Sequence, residues 1–169
     1  MAAAIANLHP RALYAMLQAC KSADDRARAA LAFIRAGTGA AGGYLFLARN
    51  EGLSLAATAD DDAPPGLLEY VTGAWKDCRR PRTDDSRTME VAELEALVQE
   101  KARWTSDRGE RFERRVLGTH REVYWTPIGL VMLREQPARE LAALHHGHVH
   151  SLCMALMDAG DIRAPESDE

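Results

Sequence analysis

Four of the chain's six histidines fall within the six residues HHGHVH, His145 to His150. Imidazole is the commonest metal ligand and the side chain most readily charged near neutral pH, so this cluster is where chemistry would first be sought. His146 and His150 are spaced i, i+4, and two imidazoles on one helix face can share a divalent ion. Two ligands make half a zinc site, however, and no HExxH, CxxC or carboxylate partner supplies the rest. On a helical wheel advancing about 100° per residue from Leu141, the positions Leu144, His145, His148, Leu152, Ala155 and Leu156 share one side. His146 and His150 take the other. The cluster thus splits into an outer pair and an inner pair, His145 and His148, on an apolar stripe. Burial of that inner pair in a helix seam would disfavour the charged imidazole, so acidification is expected to loosen the seam.

Other routes to catalysis are weaker. HGHVH has part of the HxHxDH pattern of metallo-hydrolases but lacks its aspartate and lies in a helical context, which leaves a histidine-dependent metalloenzyme as a distant alternative. Ser151 has no GxSxG elbow around it, and adjacent helical residues do not face each other. The glycine-rich Gly37 to Gly43 follows a helix and enters a strand, the reverse of the strand, glycine loop and helix order that cradles phosphate. Its glycines read as a helix stop and a tight connection. No carboxylate pair has a spacing that singles it out for acid/base work, so the expectation is a protein that is not an enzyme and needs no cofactor. Trp75, Trp104, Tyr124 and Trp125 read first as packing residues; they are also the candidates to line a small-molecule pocket.

The totals narrow the partners. A chain of 169 residues suits one domain with one core. A formal net charge of -4 gives no broad cationic surface, so nucleic acid is not expected as a partner. The basic stretch Arg108 to Arg121 carries Arg111, Arg114 and Arg115 interleaved with Glu110 and Glu113, and reads as a solvated strand face. Cys20, Cys78 and Cys153 are odd in number without CxxC spacing, which fits a reducing compartment better than a disulfide framework. MAAAIANLHP lacks the pattern of a secretory signal and no run reaches membrane-span length, so a cytoplasmic protein without a membrane partner is expected.

The elements that must position these residues follow from periodicity. Pro10 to Cys20 predicts a helix with Leu13, Met16, Leu17 and Cys20 on one side, and Ser22 caps a second that Gly37 and Gly39 stop. Tyr44 to Ala48 and Leu53 to Ala59 predict a hairpin. A helix follows through Leu67, Leu68, Val71, Ala74 and Trp75. Cys78 to Thr88 is rich in charge and breakers and reads as an exposed, mobile connector, before an amphipathic helix over Val91, Leu94, Leu97, Val98 and Ala102. Arg103 to Thr105 and Arg111 to Leu117 flank a turn and predict a second hairpin, Glu122 to Trp125 re-enters the sheet, Pro127 interrupts it, and Ile128 to Leu133 is a buried strand. Pro137 opens a last helix from about Ala138 to Asp158. The predicted class is α+β, with a central antiparallel sheet of about five to six strands and the terminal helices bundled on one face. One domain is expected over 1–159, with a flexible acidic tail over 160–169.

Two stretches give this order of elements a family likeness. ALAFIRAGTGAAGGYLFLARNEGLSLAATA resembles the end of the first helix and the first hairpin of a GAF domain, and WTPIGLVMLREQPARELAAL resembles that family's penultimate strand running into its last helix. The resemblance implies a regulatory or sensor module of bacterial-type signalling, noncatalytic, with a small-ligand pocket on the sheet face opposite the terminal helices. It also implies a homodimer through those helices, with Leu13, Leu17, Leu141, His145, His148 and Leu152 in the seam, and a signalling protein as partner. The NKFDE-type motif that accompanies cyclic-nucleotide binding has no counterpart here, nor has the bilin motif, and Cys78 lies in no chromophore-attachment context. Roadblock and profilin-like domains share the order of elements and imply the same kind of function.

Overall fold

The structure, a computed structural model, describes residues 7–49, 52–60, 62–79, 102–121 and 124–162. Its elements are α1 (Pro10–Gln18), α2 (Ala23–Thr38), β1 (Gly42–Arg49), β2 (Gly52–Thr58), α3 (Leu67–Arg79), β3 (Ala102–Thr105), β4 (Arg111–Arg121), β5 (Tyr124–Arg134) and α4 (His146–Asp158). The strands form one antiparallel sheet in the order β2-β1-β5-β4-β3. The fold is α+β, as the periodicities predict.

Local chemistry accounts for the element ends. Ser22 Oγ accepts from the Asp25 N–H at 3.1 Å and caps α2, whose first turn carries Asp24 and Asp25 against the positive helix end. At its other end Gly39 takes φ 81°, a left-handed conformation that only glycine adopts without steric cost. Strand β1 is buried from Gly42 to Ala48, on both faces, because helices cover the sheet from either side.

Cross-sheet contacts assign those sides. His150 of α4 meets Thr119, and the chain just before α4 meets Arg115, so α4 lies over the face that carries Glu113, Arg115, Leu117 and Thr119. Helix α1 packs on α4, and α2 joins them through Phe33, whose ring is 5.1 Å from that of His148. Tyr70 of α3 instead meets Arg114 and Trp104, which places α3 over the opposite face with Phe112 and Tyr44. The terminal helices therefore share one face and α3 holds the other.

Four local expectations change. Strand β5 runs through Pro127 without a break. Pro127 sits opposite Gly118 at a register shift, and β1 pairs only as far as Gly129, so the missing N–H removes no ladder bond on that side. The last helix starts at His146, eight residues later than expected. Ala138 takes φ 60°, the Leu141 and Ala142 carbonyls accept from Arg115, and the Ala142 N–H donates to Thr38, so the backbone there is committed to tertiary partners. Ala102 opens β3 rather than closing a helix. Asp161 and Ile162 are buried, so the ordered core extends past Gly160. The predicted helix over Val91 to Val98, the connector through Thr88 and the rest of the acidic tail lie outside the described residues.

Candidate functional site

The histidines come first, because their spacing drew the chemical reading. His145 is the N-cap of α4, its Nδ1 accepting from the Gly147 N–H at 3.1 Å. It is exposed, which corrects its expected place on the inner stripe: the helix on which that stripe was drawn begins only after it. His146 stacks on His145 with centroids 4.8 Å apart and planes 19° apart. His148 is half-buried, with Nε2 at 2.6 Å from the Leu8 carbonyl oxygen, so this nitrogen donates. His150 Nδ1 meets the hydroxyl of Thr119, itself buried, at 2.5 Å. Each inward nitrogen has a structural hydrogen bond, and among the described residues no three His, Cys, Asp or Glu side chains are grouped so as to hold a metal ion.

The remaining seam residues lie in the chain's own interior. Leu13, Leu17, Leu141 and Leu152 are 0, 0, 5 and 0% exposed, filling the space among α1, α4 and the sheet. Around them Tyr14 Oη donates to Asp158 at 2.6 Å and Gln18 Nε2 to the Ala155 carbonyl at 3.0 Å. The Asp158 bond holds the Tyr14 phenol above its ordinary range, with desolvation and the carboxylate's charge adding to it. Cys153 is buried nearby, and burial alone pushes its thiol far up, which makes it an inert packing residue.

Arg115 and Glu113 overturn the reading of β4 as a solvated face. They form a buried ion pair on the side of the terminal helices. Arg115 also donates to the Ala142 and Leu141 carbonyls, at 2.7 and 3.4 Å, and pins the connector ahead of α4. Arg26 makes a second buried pair with Asp161 at 2.7 Å, while its other nitrogens donate to the Leu17 and Cys20 carbonyls. Neither pair was visible as such, because sequence gives no sign of which charged side chains the fold will enclose.

On the α3 face the structure brings together an aromatic group that contains only part of the expected pocket. Trp75 is 3% exposed and serves as core. Trp104 is half-buried, stacked on Tyr70 at 6.0 Å and 30° and tilted against Phe112 at 5.8 Å. Tyr124 and Trp125 open β5 opposite Arg121 and His120, and their side chains lie outside the described residues. Tyr70 and Phe112 were not singled out from sequence, and Arg114 was read only as part of a solvated strand face; alternation along β4 would have put Phe112 and Arg114 on one face, but nothing local names α3 as their cover. Arg114 Cζ lies 5.9 Å from the centre of the Tyr70 ring, and its Nη1 is 3.5 Å from the Tyr70 hydroxyl.

Comparisons with protein-family models, with curated proteins and with solved structures return no match. Function rests on the geometry alone.

That geometry offers two features. One is the terminal-helix pair, whose leucines are consumed in packing and whose His148 and His150 are hydrogen-bonded to Leu8 and Thr119. The other is the half-buried group of Tyr70, Trp104 and Arg114, where a cation and two aromatic rings meet beside the sheet.

Proposed function

We propose that the chain is a noncatalytic regulatory and protein-interaction module of bacterial-type signalling, GAF-like in fold, cytoplasmic, and dimeric through its terminal helices. The observation that carries this reading is the placement of α1 against α4, which puts the two ends of the domain side by side on one sheet face. A partner or a second copy engaging one helix would bias the packing of the other, the kind of two-state element that regulation requires. The inner leucines are already spent, so a dimer would use the outer side of α1, where Ala12, Ala15 and Ala19 are exposed and would let a second helix approach closely. No helix among the described residues is long and apolar enough to cross a membrane. Sedimentation velocity across a concentration series tests the dimer. A species that stays monomeric at every concentration removes it.

A second reading, a small-ligand sensor, is favoured by the Tyr70, Trp104 and Arg114 group on the face opposite the terminal helices. Aromatic surface with one convergent polar group is the usual make-up of a ligand site. Native mass spectrometry of protein taken from its own cells tests it through retained small-molecule mass.

A further inference from the structure

Of the inward guanidinium groups among the described residues, three have a carboxylate and three, Arg35, Arg49 and Arg114, have none and keep a buried Nε without an acceptor. Arg26 has Asp161, Arg115 has Glu113, and Arg134 has Asp60 at 3.1 Å. Arg114 is the exception on the α3 face. It occupies the row Ala102, Arg114, Met132 and Tyr44 across four strands, where Met132 is 0% and Tyr44 2% exposed. Among the described residues no carboxylate is paired with it. Asp60, whose carboxylate stands over Gly42 on the same side of the sheet, is already engaged by Arg134.

The donors of Arg114 are correspondingly idle. Its Nε is buried and has no acceptor, and its Nη1 makes only the long 3.5 Å contact with the Tyr70 hydroxyl. A buried N–H without an acceptor is costly, and a half-buried cation without a counterion adds to that cost. The Nε and Nη2 edge of a guanidinium is the planar fork that takes the two oxygens of a carboxylate or phosphate side by side. Beside it stand two half-buried rings, Tyr70 and Trp104, stacked on one another.

We propose that Arg114 is the anion receptor of a binding site on the α3 face, with Tyr70 and Trp104 as its aromatic wall, and that its ligand is a small planar ring bearing a carboxylate or phosphate. This rests on the sensor reading and gives it a ligand class. An oxyanion on Nη2 neutralises the guanidinium and, once the side chain shifts to uncover Nε, gives that donor an acceptor as well, while a flat ring adds stacking on the Trp104 side. The Tyr70 hydroxyl takes up only Nη1, through its long contact, and leaves Nε and Nη2 without an acceptor among the described residues.

The test is titration of the intact chain, followed by tryptophan fluorescence and calorimetry, with benzoate, phenyl phosphate, inorganic phosphate and uncharged benzyl alcohol. Saturable binding of benzoate or phenyl phosphate is expected, and whichever binds tighter names the anion. Arg114→Gln should weaken it about tenfold or more, and Arg114→Lys, which keeps the charge without the fork, should recover only part. In the absence of ligand Arg114→Gln should keep or raise Tm, since it removes an uncompensated charge; a clear fall in Tm would assign Arg114 a structural role and overturn the proposal. Equal affinity for benzyl alcohol, or unchanged affinity in Arg114→Gln, would also overturn the anion receptor while leaving a ligand sensor in place. Inorganic phosphate binding as tightly as phenyl phosphate would overturn the aromatic wall. No binding of any probe overturns the anion site, and the sensor reading falls with it only if protein from cells also carries no retained small molecule.

Discussion

At the scale of single residues the charged groups matter most where the fold has enclosed them. Arg26 and Asp161 are 10 and 6% exposed in their side chains, and Arg26 also holds two carbonyls at the turn between α1 and α2. Asp161→Ala would leave that guanidinium buried without its counterion, and should cost about 3 kcal/mol in urea unfolding. Arg26→Met combined with Asp161→Leu should recover part of the loss, the carbonyls of Leu17 and Cys20 losing their donor in that variant. Tyr14 gives a pH signature. Its phenol is held above the ordinary tyrosine value by the Asp158 bond, so the stabilisation it contributes is fully present below about pH 10 and is lost as pH rises through the elevated value. Thermal melts taken into the alkaline range should fall more steeply for the parent chain than for Tyr14→Phe. His148 Nε2 donates to the Leu8 carbonyl and its ring lies 5.1 Å from that of Phe33, so this histidine ties the chain ahead of α1 to α2 and α4.

At the scale of elements, closeness of backbones decides what β1 and β5 tolerate. Gly129 pairs with Leu47, and a Cβ at that position would lie 2.2 Å from the Phe46 carbonyl oxygen, a backbone atom that cannot swing aside. Gly129→Ala should therefore push the two central strands apart and destabilise by on the order of 2–3 kcal/mol, read from Tm or urea midpoint. The element boundaries show how far local signals reach. The caps at Ser22 and Gly39 and the β1–β2 hairpin were legible because each depends on neighbours in sequence. The late start of α4 was not. The pattern from Ala138 to Asp158 suits one helix, but Arg115, from a distant strand, takes the carbonyls of Leu141 and Ala142 and the helix begins only after them. Pro127 misled for a similar reason, since whether a proline breaks a strand depends on whether its N–H had a partner across the sheet.

At the scale of the whole molecule, the described residues place three helices on one sheet face and α3 on the other, which separates a seam between α1 and α4 from a half-buried aromatic group. If the seam extends to a second copy, Ala15→Arg, on the exposed side of α1, should shift sedimentation towards monomer without lowering Tm by more than a few degrees. The sequence by itself determined the α+β class, the order of the described elements, the caps and the inward leucines of α1, because these follow from periodicities and residue chemistry that act over a few positions. Only the tertiary structure decided what the polar residues do. HHGHVH became a helix cap, a stacked pair and two hydrogen bonds to Leu8 and Thr119. Of the three arginines clustered on β4, Arg115 went inward to Glu113, Arg111 stayed in solvent, and Arg114 was left half-buried beside Tyr70 and Trp104. A polar side chain's role depends on which partner the fold delivers within about 3 Å, and that partner comes from another part of the chain.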